Sequence, residues 1–287
     1  MKDWFINIFG GGIFDGVYEM LNVALLGDGD YALASKFTSA IYNNVMVPIA
    51  LSLVVIYLVC NLIERSTNEQ FTYEQMFLML AKAIVAVFII SKGFDLMLEF
   101  QNAGLSFLKD LSSTATSLGL GTNTGGGEAY IKSNPELMQL YKNYTGETFP
   151  KEPSFFKNIG LVIGNGFTLL LSNLAVLIIK ACVYVIVFMR ILEIYVRTMF
   201  APIALSDIFG HGLNSTGFRF MKSYLAVSIQ VAAIYGCILL NTVISSSLAK
   251  GGMGDITFIF KYLGLAAATI GLMFKSQSLI KEFVGTN

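Results

Sequence analysis

Apolar residues in this chain gather into five long stretches that are nearly free of charge: Val45 to Leu62, Phe77 to Leu98, Ile159 to Met189, Tyr224 to Ile244 and Ile256 to Phe274. A hydrocarbon layer about 30 Å thick is crossed by roughly 20 helical residues, so each stretch has the length of a membrane span. The pattern predicts an all-α integral membrane protein with about five transmembrane helices. Lys82 and Lys92 interrupt the second, Lys180 the third and Lys261 the fifth, whereas the first and fourth are uninterrupted. The third stretch is unusually long, roughly 46 Å at 1.5 Å per residue, so its helix should tilt or run beyond the bilayer, carrying Arg190, Glu193 and Arg197 before Pro202 breaks it.

Ahead of the first span, Trp4, Phe5, Ile8, Phe9, Ile13, Phe14, Val17, Leu21, Ala24 and Leu25 recur mostly at three- and four-residue intervals. That spacing predicts an N-terminal amphipathic helix, lying in the membrane interface or packed on the bundle, or two shorter helices bent at Gly10 to Gly12. Gly27 to Asp30 form a turn; two of its four residues are carboxylates, but the other ligands of a calcium loop are missing. Between the second and third spans the composition turns to Gly, Ser, Thr, Asn, Lys and Tyr, with Pro135, Pro150 and Pro153 as breakers. The division is residues 1–36 as the amphipathic region, 37–100 as spans one and two, 101–157 as a large loop, and 158–287 as spans three to five. Within the loop, Gly119 to Gly127 is expected to be a flexible linker and Ser133 to Tyr144 a short helix with proline in its first turn.

Charge then suggests an orientation. More than half of the residues are hydrophobic (55%) and few are charged (13%), which excludes a solvated globular domain of this length. Arg65 falls between spans one and two, Arg190, Arg197, Arg219 and Lys222 fall between spans three and four, and Lys275 and Lys281 follow span five. With five spans these positions share one face, which the positive-inside rule makes cytoplasmic. The amino terminus and the 101–157 loop are then outside and the carboxyl terminus inside. No cleavable leader is expected from Met1 to Gly12, and Cys60, Cys182 and Cys237, each within a span, do not suggest a disulfide framework.

The sequence holds little catalytic chemistry. His211 is the single histidine, with no Cys or second His near it to ligate a metal, and neither a nucleophile elbow nor a pair of intramembrane aspartates is present. No enzyme, cofactor or metal is expected. Arg190, Glu193 and Arg197 are spaced for ion pairs along one helical side, and internal pairing is preferred over contact with a substrate. Lys180 lies deep under any placement of span three; exposure to lipid would cost about 3 kcal/mol, so it faces a lumen or a lipid headgroup, or else an internal partner. Gly160 with Gly164, Ala232 with Gly236, and Gly264 with Ala268 are small-residue pairs one turn apart, suited to close helix packing. Gln230, Asn241, Asn165 and Asn173 are suited to hydrogen bonds between helices.

The stretch from Met189 to Leu240 reads Met-Arg-Ile-Leu-Glu-Ile-Tyr-Val-Arg-Thr-Met-Phe-Ala-Pro-Ile-Ala-Leu, then Phe218-Arg219-Phe220-Met221-Lys222 and Gln230. It resembles the central region of TrbL-like polytopic subunits of bacterial type IV secretion and conjugation machines. The expected architecture is similar too, with an exported amino terminus, a large outer loop after span two, five spans and an inner carboxyl terminus. The resemblance implies a non-enzymatic scaffold or channel subunit of the bacterial cytoplasmic membrane, in a homo-oligomeric ring for which a pentamer is the starting guess. Its partners would be membrane lipid, other secretion subunits and, transiently, the transferred DNA or protein. The patch Arg190, Glu193, Arg197 and Arg219 would then face cytoplasmic partners. This chain lacks the long carboxyl-terminal extension of many such subunits, which puts any function of that extension in doubt. A small-solute transporter and an oligomeric pore are the competing readings; no inverted repeat or matched pair of broken helices supports the first.

Overall fold

The computed structural model describes residues 2, 5–6, 16–67, 72–117, 131–132, 135, 138–139, 141–142, 148–151, 159–211, 214–250 and 256–285. Every element among them is helical. The α-helices are α1 (Val17–Leu26), α2 (Ala32–Ile41), α3 (Val47–Thr67), α4 (Tyr73–Ser117), α5 (Ile159–Ser206), α6 (Ile208–His211), α7 (Thr216–Lys250) and α8 (Ile256–Val284). A 3₁₀ turn, Gly29–Tyr31, precedes α2, and a π segment, Tyr42–Met46, joins α2 to α3.

Among the described residues, four helical stretches are long and apolar enough to cross a membrane: Gly29–Glu64, Tyr73–Ser117, Thr216–Ile244 and Phe260–Val284. Their outward side chains are apolar as well, Ile56 and Ile63 on α3 and Phe77, Ile84 and Phe88 on α4 among them, as befits helices solvated by hydrocarbon. The third span expected from the sequence falls in α5, a helix of 48 residues. Pro202 does not end it. The helix runs on to Ser206 with Pro202 inside and buried; only the one hydrogen bond to the Thr198 carbonyl is lost, a loss a helix packed against neighbours tolerates.

The chain forms two compact units. The first comprises Met1–Asn22, Ser106–Met189 and Val231–Ser276. Its core includes Leu108, Val183, Ile186, Val231, Ile234 and Ile238. Phe5, Tyr141 and Phe149 pack as a ring cluster, with 5.2 Å between the centroids of Tyr141 and each of the other two. The Tyr141 hydroxyl donates to the Lys151 carbonyl at 2.8 Å. Asn241 on α7 donates to the Thr269 hydroxyl on α8 at 2.8 Å, a cross-helix bond of the kind expected of a polar residue in a span. Val17 and Leu21 on α1 are buried, as are Ala24 and Leu25 on its next turn. The stripe of this helix is therefore covered by protein. Residues 3–4 and 7–15 of the proposed amphipathic region, and the Gly119 to Gly127 linker, lie outside the described residues; those described between 133 and 144 are helical.

The second unit comprises Val23–Leu105, Arg190–Gln230 and Gln277–Asn287. Here α3 and the first part of α4 form a hairpin. Tyr42, in the π segment, donates to the Ile90 carbonyl at 2.9 Å and packs on Phe94 at 5.4 Å between ring centroids. Pro48 accounts for the π segment: its ring would strike the carbonyl of Asn44 in a regular helix, and the wider turn moves that carbonyl aside. Gly93 passes so close to the Tyr42 hydroxyl and to Leu205 that a side chain there would push them aside, and Gly104 lies against the Ser228 carbonyl, a backbone atom. Close helix approach within the chain thus uses Gly93 and Gly104, together with Gly217, whose absent Cβ would meet the Ala204 carbonyl at 2.6 Å.

Candidate functional site

The charged triplet predicted from sequence spacing forms the centre of a network in the second unit. Arg190 donates to one Glu193 carboxylate oxygen at 2.6 Å, and Arg197 donates to the other at 2.7 Å. One turn of α5 separates each pair, so the helix itself sets this geometry. Two further helices close the network. Arg190 also donates to the Gln277 side-chain carbonyl on α8 at 3.1 Å, the Gln277 amide donates to Glu193 at 3.3 Å, and Arg197 donates to the Ser223 hydroxyl on α7 at 2.8 Å. Side-chain exposure is 7% for Arg190, 21% for Glu193 and 22% for Arg197. These groups are committed to binding α5, α7 and α8 together. Arg219, on the first turns of α7, is exposed, and Lys222 lies over the Phe218 ring at 5.2 Å.

A second, fully buried cluster lies beside the first. Gln101 of α4 donates its amide to the Tyr224 hydroxyl of α7 at 2.6 Å and to the Thr198 hydroxyl of α5 at 3.5 Å. Thr198 and Tyr224 share a hydrogen bond of 2.6 Å, and Thr198 also donates to the Ile194 carbonyl at 2.8 Å. The Tyr195 hydroxyl meets the Ala24 carbonyl at 3.0 Å. The unit therefore contains a polar layer in which residues near both ends of the chain take part.

This layer brings together residues that the layout read from charge sets apart. Gln101 and Ala24 were placed on the outer face and Thr198 and Tyr195 on the inner one, yet each pair is in hydrogen-bond contact. Arg65 closes α3 at the far end of the α3–α4 hairpin. Along α4 the distance from Phe77 to Gln101 is roughly 36 Å at 1.5 Å per residue, about one bilayer core. Within the second unit, then, Arg65 and the Arg190–Arg197 network stand at opposite ends of the hairpin.

The remaining sequence candidates are distributed. Lys180 is half-buried on α5 and makes no hydrogen bond or ion pair among the described residues; the Lys92–Asp95 pair, 3.6 Å apart, is 64% and 68% exposed. Of the small-residue pairs, Ala232 is buried, Gly264 and Ala268 are exposed, and no described residue comes within 4 Å of a Cβ placed on Gly236 or Gly264. The side chains of Gly160, Gly164, Asn165, Asn173 and His211 lie outside the described residues. Gln230 is buried and partnered. No group of three or more His, Cys, Asp or Glu residues that could hold a metal occurs among the described residues. Ser223, Gln277, Gln101, Thr198 and Tyr224 were missed from sequence, because a neutral polar residue at the end of an apolar stretch gives no sign of its distant partner. No family model, curated protein or solved structure matches the chain.

Proposed function

We propose that the chain is a non-enzymatic scaffold or channel subunit of a type IV secretion machine, embedded in the bacterial cytoplasmic membrane by its long apolar helices and assembled as a homo-oligomeric ring. The reading rests on the resemblance of Met189 to Leu240 to TrbL-like subunits. One structural observation supports it: that same stretch supplies Arg190, Glu193, Arg197, Ser223 and Tyr224 to the polar layer. Its charges are used to hold helices in place, which suits a subunit whose work is geometric. Exposed Arg219 is left to meet cytoplasmic partners, and Lys180 to meet a lumen or a lipid phosphate.

The test is isolation of the full chain from its native membrane in a mild detergent, followed by mass measurement of the particle and identification of companions. A ring of several copies that carries secretion subunits, with transfer lost in Arg219→Glu while the ring persists, is the expected result. A monomer without such companions would refute the assignment, and normal transfer by the Arg219 variant would remove that residue from the partner surface.

A further inference from the structure

A groove of about 490 Å3 opens in the second unit between the α2–π–α3 segment and α4, lined by Ser35, Lys36, Ser39, Ala40, Asn43, Asn44 and Phe94. We infer that it is a binding site for the headgroup of an anionic phospholipid. The lining is unusual for a helix of spanning length. Ser35, Ser39 and Asn43 form one row at four-residue spacing, and Lys36, Ala40 and Asn44 form the next. Asn43 donates its amide to the Ser39 carbonyl and hydroxyl at 3.0 and 3.2 Å, which fixes the row, while Lys36 is exposed and without a carboxylate partner among the described residues. Lys36 is the only charged residue among those lining the groove; the Lys92–Asp95 pair and the exposed acids Asp28, Asp30 and Glu99 lie on neighbouring turns outside the lining. The groove itself therefore offers one cation beside neutral hydrogen-bonding groups, the recognition chemistry of a phosphate ester.

Its place in the fold selects a lipid over a free anion. The groove lies where the apolar α3–α4 hairpin begins, at the level of the π segment, and π segments recur at functional sites. Around it Leu33 and Phe37 are 80% and 60% exposed, and Val45 and Ile49 are exposed about two and three turns further on. A phosphate held at Lys36 would thus have acyl chains running along an apolar flank. The inference depends on the membrane reading alone and not on the secretion assignment.

The experiment is native mass spectrometry of the full-length protein released from detergent after incubation with phosphatidylglycerol, phosphatidylcholine or inorganic phosphate. Phosphatidylglycerol should be retained in preference to phosphatidylcholine. Lys36→Gln should weaken its retention about fivefold, and Lys36→Glu should weaken it by a further step of similar size, the change expected for one surface cation each time. Lys82→Glu, a reversal on an exposed lysine elsewhere on α4, should leave retention unchanged. Ser39→Ala, which keeps every charge, provides a second reading of the groove by a smaller loss. Equal retention of both lipids, no dependence on Lys36, or displacement of the lipid by millimolar inorganic phosphate would each overturn the inference. None of these outcomes bears on whether the protein forms a ring with secretion subunits.

Discussion

Replacing Glu193 with Gln tests the network at its most connected atom pair. The carboxylate accepts from Arg190 at 2.6 Å, from Arg197 at 2.7 Å and from Gln277 at 3.3 Å. Two of these bonds join opposite charges, each contributing about 1.5–3 kcal/mol in a buried setting. Exposure of about a fifth at Glu193 and Arg197 screens part of that, and Gln retains one acceptor oxygen, so a loss of about 3 kcal/mol is expected. At roughly 2–4 °C per kcal/mol for a chain of this size, the thermal midpoint in detergent should fall by about 6–12 °C. Asp95→Asn is the control. Its pair is 3.6 Å apart and largely exposed, so its loss should stay under about 1 kcal/mol. A Glu193→Gln shift no larger than the Asp95→Asn shift would refute the network's role in holding α5, α7 and α8.

Other substitutions examine neighbouring parts of the argument. Tyr224→Phe removes the hydroxyl shared by Gln101 and Thr198, and should cost about 1–3 kcal/mol because the Gln101 amide is left in a dry site; an unchanged midpoint would show that water reaches it. Gly104→Ala forces a methyl group against the Ser228 carbonyl, a backbone atom that cannot swing away, so about 1–3 kcal/mol should be lost, whereas Gly264→Ala meets nothing and should be neutral or stabilising by up to about 1 kcal/mol. A reversed order in a thermal-shift assay would contradict the helix contacts. Gly264→Leu should disperse the oligomer, measured by light scattering, if the Gly264 and Ala268 face joins copies; an intact ring would remove that face from the interface.

The long apolar helices and the ion-pair spacing of Arg190, Glu193 and Arg197 were legible because each is a local signal. Helix ends were less so. Gln101 marks the point where composition turns polar, yet α4 continues to Ser117. Ser113, Thr114, Thr116 and Ser117 return their hydroxyls to carbonyls three or four residues earlier, so side chains typical of loops are satisfied inside a helix. Pro202 misled for a similar reason, because its lost hydrogen bond is a small cost in a helix that packing fixes on both sides. The groove at Lys36 was not legible, since Phe94 lies far along the chain from the two polar rows it faces. Orientation is not a local signal. It depends on where distant helices meet, and no count of arginines records that Gln101 bonds to Tyr224 or that Tyr195 bonds to Ala24.

The polar layer joining both ends of the chain is most directly tested by replacing Cys60, Cys182 and Cys237 with Ser and introducing Asp30→Cys or Glu282→Cys, both at exposed positions of the second unit. Each variant is then labelled with a membrane-impermeant maleimide in intact and in inverted vesicles. The contacts of Tyr195 with Ala24 and of Arg190 with Gln277 predict that the two positions react from the same side. Reaction from opposite sides would contradict the layer and restore the odd crossing of the membrane that charge alone suggests.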